Sequence, residues 1–246
     1  VVIQGGATGV AFVHTLAGAT GAALTSIDGS SFAGNLTVAG NAFAQVIKGG
    51  SGNDNISTGG HAAFADGVSS DVLTGGAGND TFVFATADTA YTVADLNTLA
   101  ASTNDGYSEL TTITDLNLGG ATAATVADQI DLSFVGGANV AATLGLNTNT
   151  VTVVNGGAAT ALSGVSLGTA VNALVNGGIL GGATAATGVV AGLFTWGGDT
   201  FLIASQQAVV NDNFGQVAGS DIIIKVTGVT GTLDASDFSS FSLTAA

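Results

Sequence analysis

The chain has 246 residues and carries 17 acidic side chains against only two basic ones, Lys48 and Lys225, which gives a formal net charge of -15. A surface of this charge repels phosphate backbones, so nucleic-acid binding is not expected. Cysteine is absent, which excludes disulfides, thiolate metal ligands and thiol catalysis. With so few cationic side chains, the carboxylates must be solvated, bonded to backbone N–H groups or neutralised by metal ions, and divalent cations are the expected partners.

The first third of the chain predicts short strands joined by glycine-rich turns. The chain has 39 Gly and no Pro, so its turns depend on the positive φ angles that glycine allows. Up to Phe84, β-branched and aromatic runs alternate with clusters of Gly, Asn, Asp and Ser. The predicted strands are 24–28, 35–38, 44–48, 54–57, 71–74 and 80–84. These runs are too short for a sandwich, and they favour a coil built from a repeat of fixed length.

Two nonapeptides stand out in this region. GGSGNDNIS (49–57) and GGAGNDTFV (75–83) both match G-G-x-G-x-D-x-U-x at every defined position, where U is a large apolar residue. Between them lie a shortened copy at 58–65 and a degenerate copy at 66–74. Calcium takes about six to eight oxygen ligands, which carboxylates and backbone carbonyls can supply together. One glycine turn with one aspartate supplies too few, so a second half-site must come from another coil.

After residue 85 the repeat stops. Longer apolar runs predict strands at 150–154, 193–204 and 220–229, and the segment 169–175 predicts a short helix. The apolar window around 169–195 is interrupted by Thr, Asn and Gly, so it is interpreted as core and not as a membrane helix. A domain boundary is predicted near 85–110.

These nonapeptides resemble those of the RTX (repeats-in-toxin) family of secreted bacterial proteins. The resemblance implies that the fold is mainly β: a right-handed parallel β-roll or β-solenoid with calcium-binding glycine turns at 1–85, with its repeats at 49–83. A mixed, mostly β domain with a few short helices would follow at 86–246. The residues that the resemblance implies as calcium ligands are Gly50, Gly52, Asp54, Asp66, Val68, Asp71, Gly75, Gly76, Ala77, Gly78 and Asp80.

The resemblance also implies which turns share an ion. The turn 49–54 would face the segment 66–71, since the family places two half-sites two repeats apart. The turn 75–80 would face groups after the repeat, where Asp88 or Asp95 could supply the other carboxylate. The alternative for each of these aspartates is a turn carboxylate that accepts backbone N–H groups.

Further acidic residues allow weaker interpretations. Asp128 and Asp131 could bind a further ion or cap a strand, whereas Asp221, Asp234 and Asp237 are interpreted as solvated turn residues.

Segments beyond the repeats also resemble this family. TITDLNLGG (112–120) and ADQIDLS (127–133) are similar to the segments that close such rolls. The segments 198–204, 220–229 and 233–246 are similar to the uncleaved C-terminal signal of type I secretion substrates. The resemblance therefore implies an extracellular, secreted or cell-surface protein that uses the type I secretion machinery.

Catalytic motifs are not found. His14 and His61 are the only imidazoles, and the chain has neither an H-E-x-x-H nor a G-x-S-x-G sequence, so it is not expected to be an enzyme. The first hypothesis is a calcium-dependent, self-assembling module of a bacterial surface-layer protein. The alternatives are the β-roll tail of a secreted protease or lipase whose catalytic domain lies upstream, and an RTX adhesin.

Overall fold

The structure is a computed structural model. It describes residues 1–5, 11–15, 24–59, 70–84, 91–99, 109–119, 127–131, 151–153, 160–162, 166–176, 189–205 and 221–239. These residues form mainly β-structure, arranged in a ten-stranded and a six-stranded sheet.

Up to residue 131, successive strands alternate between the two sheets, and neighbours within each sheet are parallel. The ten-stranded sheet receives β1 (Val2–Gly5), β3 (Ser26–Phe32), β5 (Val46–Lys48), β7 (Val72–Thr74) and β9 (Thr112–Ile113). The six-stranded sheet receives β2 (Ala11–Thr15), β4 (Asn35–Ala39), β6 (Asn55–Ser57), β8 (Thr81–Val83) and β10 (Gln129–Asp131), and later β16 (Phe238–Ser239). We refer to one strand in the ten-stranded sheet and the following strand in the six-stranded sheet as one coil.

The rest of the ten-stranded sheet comes from the C-terminal half of the chain. Its strands are β11 (Val151–Val153), β12 (Thr160–Leu162), β13 (Val189–Trp196), β14 (Asp199–Ser205) and β15 (Asp221–Val226). β13, β14 and β15 pair in antiparallel fashion, and β15 then pairs with β9 in parallel. Gly197 and Gly198 join β13 to β14 with φ angles of 62° and 95°, the left-handed values that a two-residue hairpin turn needs.

The main core lies between the two sheets. In the short strands the central residue points inward and its neighbours point outward, so that Ile56, Leu73 and Phe82 are fully buried. The cluster consists of Ile3, Ile27, Phe32, Leu36, Val38, Ile47, Ile56, Leu73, Phe82, Phe84, Ile113, Leu116, Leu118, Ile130, Ala191, Leu193, Leu202, Ala204, Ile222, Ile224, Val226, Leu233 and Phe238. Apolar burial between the sheets is therefore the main force that holds successive coils together.

A second cluster joins the strands β13, β14 and β15 to two helices. These are α1 (Val93–Leu99) and α2 (Leu167–Asn176), which contact each other. The rings of Phe194 and Phe201 stack within this cluster with their centroids 5.3 Å apart. Among the described helices, none is both long and apolar enough to cross a membrane.

The local predictions are largely confirmed. Each predicted run before Phe84 contains an observed strand, although the first, predicted at 24–28, begins at Ser26 and extends to Phe32. The helix predicted at 169–175 is α2, and the strand predicted at 220–229 contains β15. The run 193–204, predicted to be a strand, forms two strands, β13 and β14, joined by the turn at Gly197 and Gly198.

Both sheets continue across the domain boundary that the sequence predicts near 85–110. β9 pairs with β7, and β10 pairs with β8. Phe82, before this boundary, belongs to the same core cluster as Ile130 and Ile222 after it. The predicted boundary therefore does not coincide with a break in either sheet, because the chain adds further coils after the glycine repeat has ended.

Glycines stack directly above one another where the coils meet. A Cβ atom at Gly52 would overlap the carbonyl oxygen of Gly34, and one at Gly78 would overlap the carbonyl oxygen of Gly52. We expect Gly52→Ala to lower the free energy of unfolding by about 1–3 kcal/mol, because backbone on one side must move. Urea unfolding followed by circular dichroism measures this, with the exposed neighbour Ser51→Ala as control. Equal stability of the two variants would contradict the close stacking.

Candidate metal centre

The two complete glycine turns are direct neighbours in the stack. The first glycine turn (49–54) joins β5 to β6, and the second glycine turn (75–80) joins β7 to β8. The N–H of Ala77 donates to the carbonyl of Gly50 over 2.9 Å, which connects the two turns along their glycine segments. Asn79 N–H likewise donates to the Asn53 side chain at 3.0 Å. The motif therefore repeats in space as well as in sequence.

Three aspartates form a column at this edge of the six-stranded sheet. The aspartate column consists of Asp54, Asp80 and Asp128, which immediately precede β6, β8 and β10. Asp54 Oδ1 accepts the N–H of Leu36 at 2.8 Å, and Asp80 Oδ1 accepts the N–H of Asp54 at 2.8 Å. Asp128 Oδ1 accepts the N–H of Asp80 at 3.0 Å. Each carboxylate thus satisfies a buried N–H group of the preceding coil.

Asp71 occupies the corresponding position in the other sheet. It precedes β7, and its Oδ1 accepts the N–H of Gln45 at 2.8 Å. Of the segment 66–71, which is predicted to face the turn 49–54, the structure describes only Ser70 and Asp71. Each coil contributes one strand to each sheet, so Asp54 and Asp71 lie next to strands of opposite sheets. Asp80, 26 residues after Asp54, lies next to the same sheet as Asp54.

Some predicted ligands lie outside the described residues. These are Asp66, Val68 and Asp88. Asp95 belongs to α1, where its Oδ2 accepts the N–H of Thr92 at 2.8 Å in a helix cap. Asp115 and Asp128, from the coil after the repeat, are the carboxylates that contact the second glycine turn.

The two glycine turns differ in how their carboxylates are bonded. Asp54 Oδ2 accepts the N–H of Gly50 at 2.5 Å, within its own turn. In the second glycine turn the equivalent N–H, that of Gly76, donates to Asp115 Oδ2 at 2.8 Å, and Gly75 donates to Asp115 Oδ1 at 2.9 Å. Asp80 is only 1% exposed, and its Oδ2 has no hydrogen-bond partner.

Burial determines the electrostatics of the column. Burial raises the pKa of Asp80 to about 7. The hydrogen bond from Asp54 N–H lowers this pKa, whereas the negative charges of Asp128, Asp54 and Asp115 raise it further. Burial likewise raises the pKa of both Asp54 and Asp128, although each accepts two backbone N–H groups.

Neither lysine is placed to neutralise these carboxylates. Lys225 Nζ lies 3.1 Å from Asp199 Oδ1, and the exposed Lys48 lies near Asp28. Backbone N–H groups are therefore the donors that the structure offers to the aspartate column, and an ion or a proton would stabilise it further.

The acidic residues near the C-terminus are less exposed than the sequence suggests. Asp237 is fully buried next to β16, with Oδ2 accepting the N–H of Asp234 at 2.6 Å. Burial, with the charges of Asp234 and Asp128, raises the pKa of Asp237 to about 7. Asp221 is buried beside Ser205. The interpretation of Asp221 and Asp237 as solvated is therefore wrong, because Asp221 lies within β15, paired with Ser205 of β14, and Asp237 ends the short helical turn that packs before β16.

Asp115 was missed at the sequence level, and Asp128 was given two interpretations. Asp128 precedes a buried residue by two positions, as Asp54 and Asp80 do, and this D-x-apolar pattern could have identified it as a member of the column. Its neighbour Asp131 lies partly exposed on β10. No local signal marks Asp115, since its contact with the second glycine turn depends on the stacking of coils.

No protein-family model matches the chain, and no curated protein is found to be similar to it. In the segments that the structure describes, no three His, Cys, Asp or Glu side chains are grouped so that they could hold a metal ion. A site made from one or two carboxylates and backbone carbonyls does not require such a group.

Proposed function

We propose that the chain is a calcium-dependent structural module of a secreted bacterial surface protein, with a right-handed parallel β-roll as its fold. The observation that carries this proposal is the direct stacking of the two complete glycine turns, with buried carboxylates that no lysine neutralises. An alternating two-sheet arrangement with glycine-rich turns at one edge is what a β-roll requires.

The chemistry of the stacked turns supports calcium as the ion. Glycine turns can direct backbone carbonyls toward an ion, and the aspartates add the negative charge that a hard cation prefers. Binding would replace contacts between turns, such as Ala77 N–H to Gly50 O, with ion–oxygen contacts. The ion would thereby stabilise the stack by its own binding free energy, so that folding depends on the calcium concentration.

The same charge pattern supports a role in assembly. Copies with a net charge of -15 repel one another, and two lysines cannot provide many salt bridges between them. Calcium shared between carboxylates of neighbouring copies would overcome this repulsion. A chain of this kind would stay unfolded in calcium-poor cytosol for type I secretion and fold outside the cell.

Calcium titration tests the proposal. The wild-type chain is taken from chelator to about 10 mM calcium, well above the dissociation constants of about 0.1–1 mM typical of extracellular calcium modules. Circular dichroism and size-exclusion chromatography follow the titration. We expect a steep gain of β-structure and growth into large assemblies, both weakened in Asp54→Ala/Asp80→Ala. Magnesium at the same concentration controls for ionic strength, and Asp28→Ala/Asp131→Ala controls for the change in charge.

The outcomes separate the candidate functions. Folding into a monomer that never grows would keep the calcium-dependent roll but point to a hydrolase tail or an adhesin. A fold that is indifferent to calcium would leave the aspartates with a structural role alone, as acceptors of backbone N–H groups, and would overturn the proposal.

A further inference from the structure

The two glycine turns are not equivalent, although both read G-G-x-G-N-D. In the first turn, Asp54 accepts N–H groups at both carboxylate oxygens, from Leu36 and from Gly50. In the second turn, Asp80 accepts only the N–H of Asp54, at Oδ1. The first carboxylate therefore has a backbone donor at each oxygen, whereas the second has none at Oδ2.

Asp115 is the cause of this difference. It lies on the next coil and accepts the N–H groups of both Gly75 and Gly76. Gly76 has a φ angle of 103°, in the left-handed region that favours glycine. With its N–H directed to Asp115, Gly76 does not donate to Asp80 as Gly50 donates to Asp54.

The unpartnered oxygen lies in a strongly negative environment. Asp80 Oδ2 lies against Gly75, where a Cβ atom would overlap it. The carboxylates of Asp115 and Asp128 are both near enough to act on Asp80 electrostatically. A buried oxygen acceptor without a donor costs free energy, and a cation bound to it would remove that cost.

We propose that Asp80 Oδ2 is the side-chain ligand of the tightest calcium site, which the charges of Asp115 and Asp128 strengthen, and that the first glycine turn binds calcium more weakly. This inference rests on the proposed function, because it presupposes that the glycine turns bind calcium. It adds that two turns of the same sequence motif bind calcium with unequal affinity. Two backbone N–H groups already offset part of the negative charge of Asp54, one at each oxygen. Asp80 Oδ2 has no such donor, so a cation gains more there.

Isothermal titration of the chelator-stripped full chain with calcium alone tests the inference. We expect Asp80→Asn and Asp115→Asn each to weaken the tightest site by about tenfold or more, as loss of a ligand or of its neighbouring charge does. Asp54→Asn removes the same charge from the equivalent position of the first glycine turn. It should change the calcium affinity of the tightest site by less than about threefold, compared with the loss of about tenfold expected above.

Two further readouts keep the test decisive. Asp115→Asn leaves the bond from Asp54 N–H to Asp80 in place, so it reports on the site even if Asp80→Asn does not fold. Loss of the tightest site in Asp54→Asn with its retention in Asp80→Asn and Asp115→Asn would overturn the inference while leaving calcium-dependent folding intact. Absence of calcium binding by the wild-type chain would overturn the proposed function as well.

Discussion

At a calcium concentration at which the wild-type chain is folded, Asp54→Ala is expected to destabilise the chain strongly, whether or not Asp54 binds an ion. The substitution leaves the N–H groups of Leu36 and Gly50 buried without an acceptor. Each such group costs about 1–3 kcal/mol. Asp54→Asn should cost less, because its amide oxygen can still accept one of the two N–H groups, and it also removes a buried charge.

Urea unfolding at this same calcium concentration, followed by circular dichroism, measures these effects. The matched control is Asp28→Ala, which removes the same charge from a partly exposed carboxylate whose Oδ1 is bonded to Ser30. The free energy of unfolding should be highest for the Asp28→Ala control, lower for Asp54→Asn and lowest for Asp54→Ala. If Asp54→Ala is as stable as the control, the aspartate does not hold the turn together.

The second large effect is a loss of stability as the pH rises. The pKa of Asp80 and of Asp237 is raised to about 7 in the folded chain, mainly by burial, whereas an unfolded aspartate titrates near 3.9. Between about pH 4 and pH 7 the folded state therefore holds more protons than the unfolded state, so the free energy of unfolding falls as pH increases. In chelator the chain should unfold at a lower temperature at pH 8 than at pH 5.

The Asp237→Asn variant isolates this effect from general repulsion among acidic groups, which acts in the same direction. It should reduce the difference in melting temperature between pH 5 and pH 8. Asp131→Asn removes a charge from a partly exposed position on β10 and should reduce that difference less. A melting temperature that rises from pH 5 to pH 8 in chelator would contradict the assignment of raised pKa values.

Local elements were predictable because their signals are local. In the segment 54–57 a single large apolar residue, Ile56, lies between polar neighbours, and in 80–84 the run Phe82–Phe84 is β-branched or aromatic; both patterns predict a strand. The helix at Leu167–Asn176 and the β-structure of the run 193–204 were equally predictable. Each depends on contacts within a few residues.

The partners of each turn were not predictable in the same way. The repeat length suggested that Asp54 meets the segment 66–71, whereas Asp80 is its neighbour in the stack. Counting nonapeptides does not reveal which sheet a strand joins when the repeats between are degenerate. The contact of Asp115 with Gly75 and Gly76 spans 40 and 39 residues and crosses the end of the repeat.

The sequence by itself determined that this chain is mainly β-structure and that glycine-rich turns carry its aspartates, because turn chemistry and side-chain alternation are properties of short segments. Only the tertiary structure decided that the two complete turns stack on each other, that the sheets continue past residue 85, and that Asp80 differs from Asp54. These features depend on the register between distant coils and on which carboxylate accepts each backbone N–H group. The spacing within one repeat encodes neither.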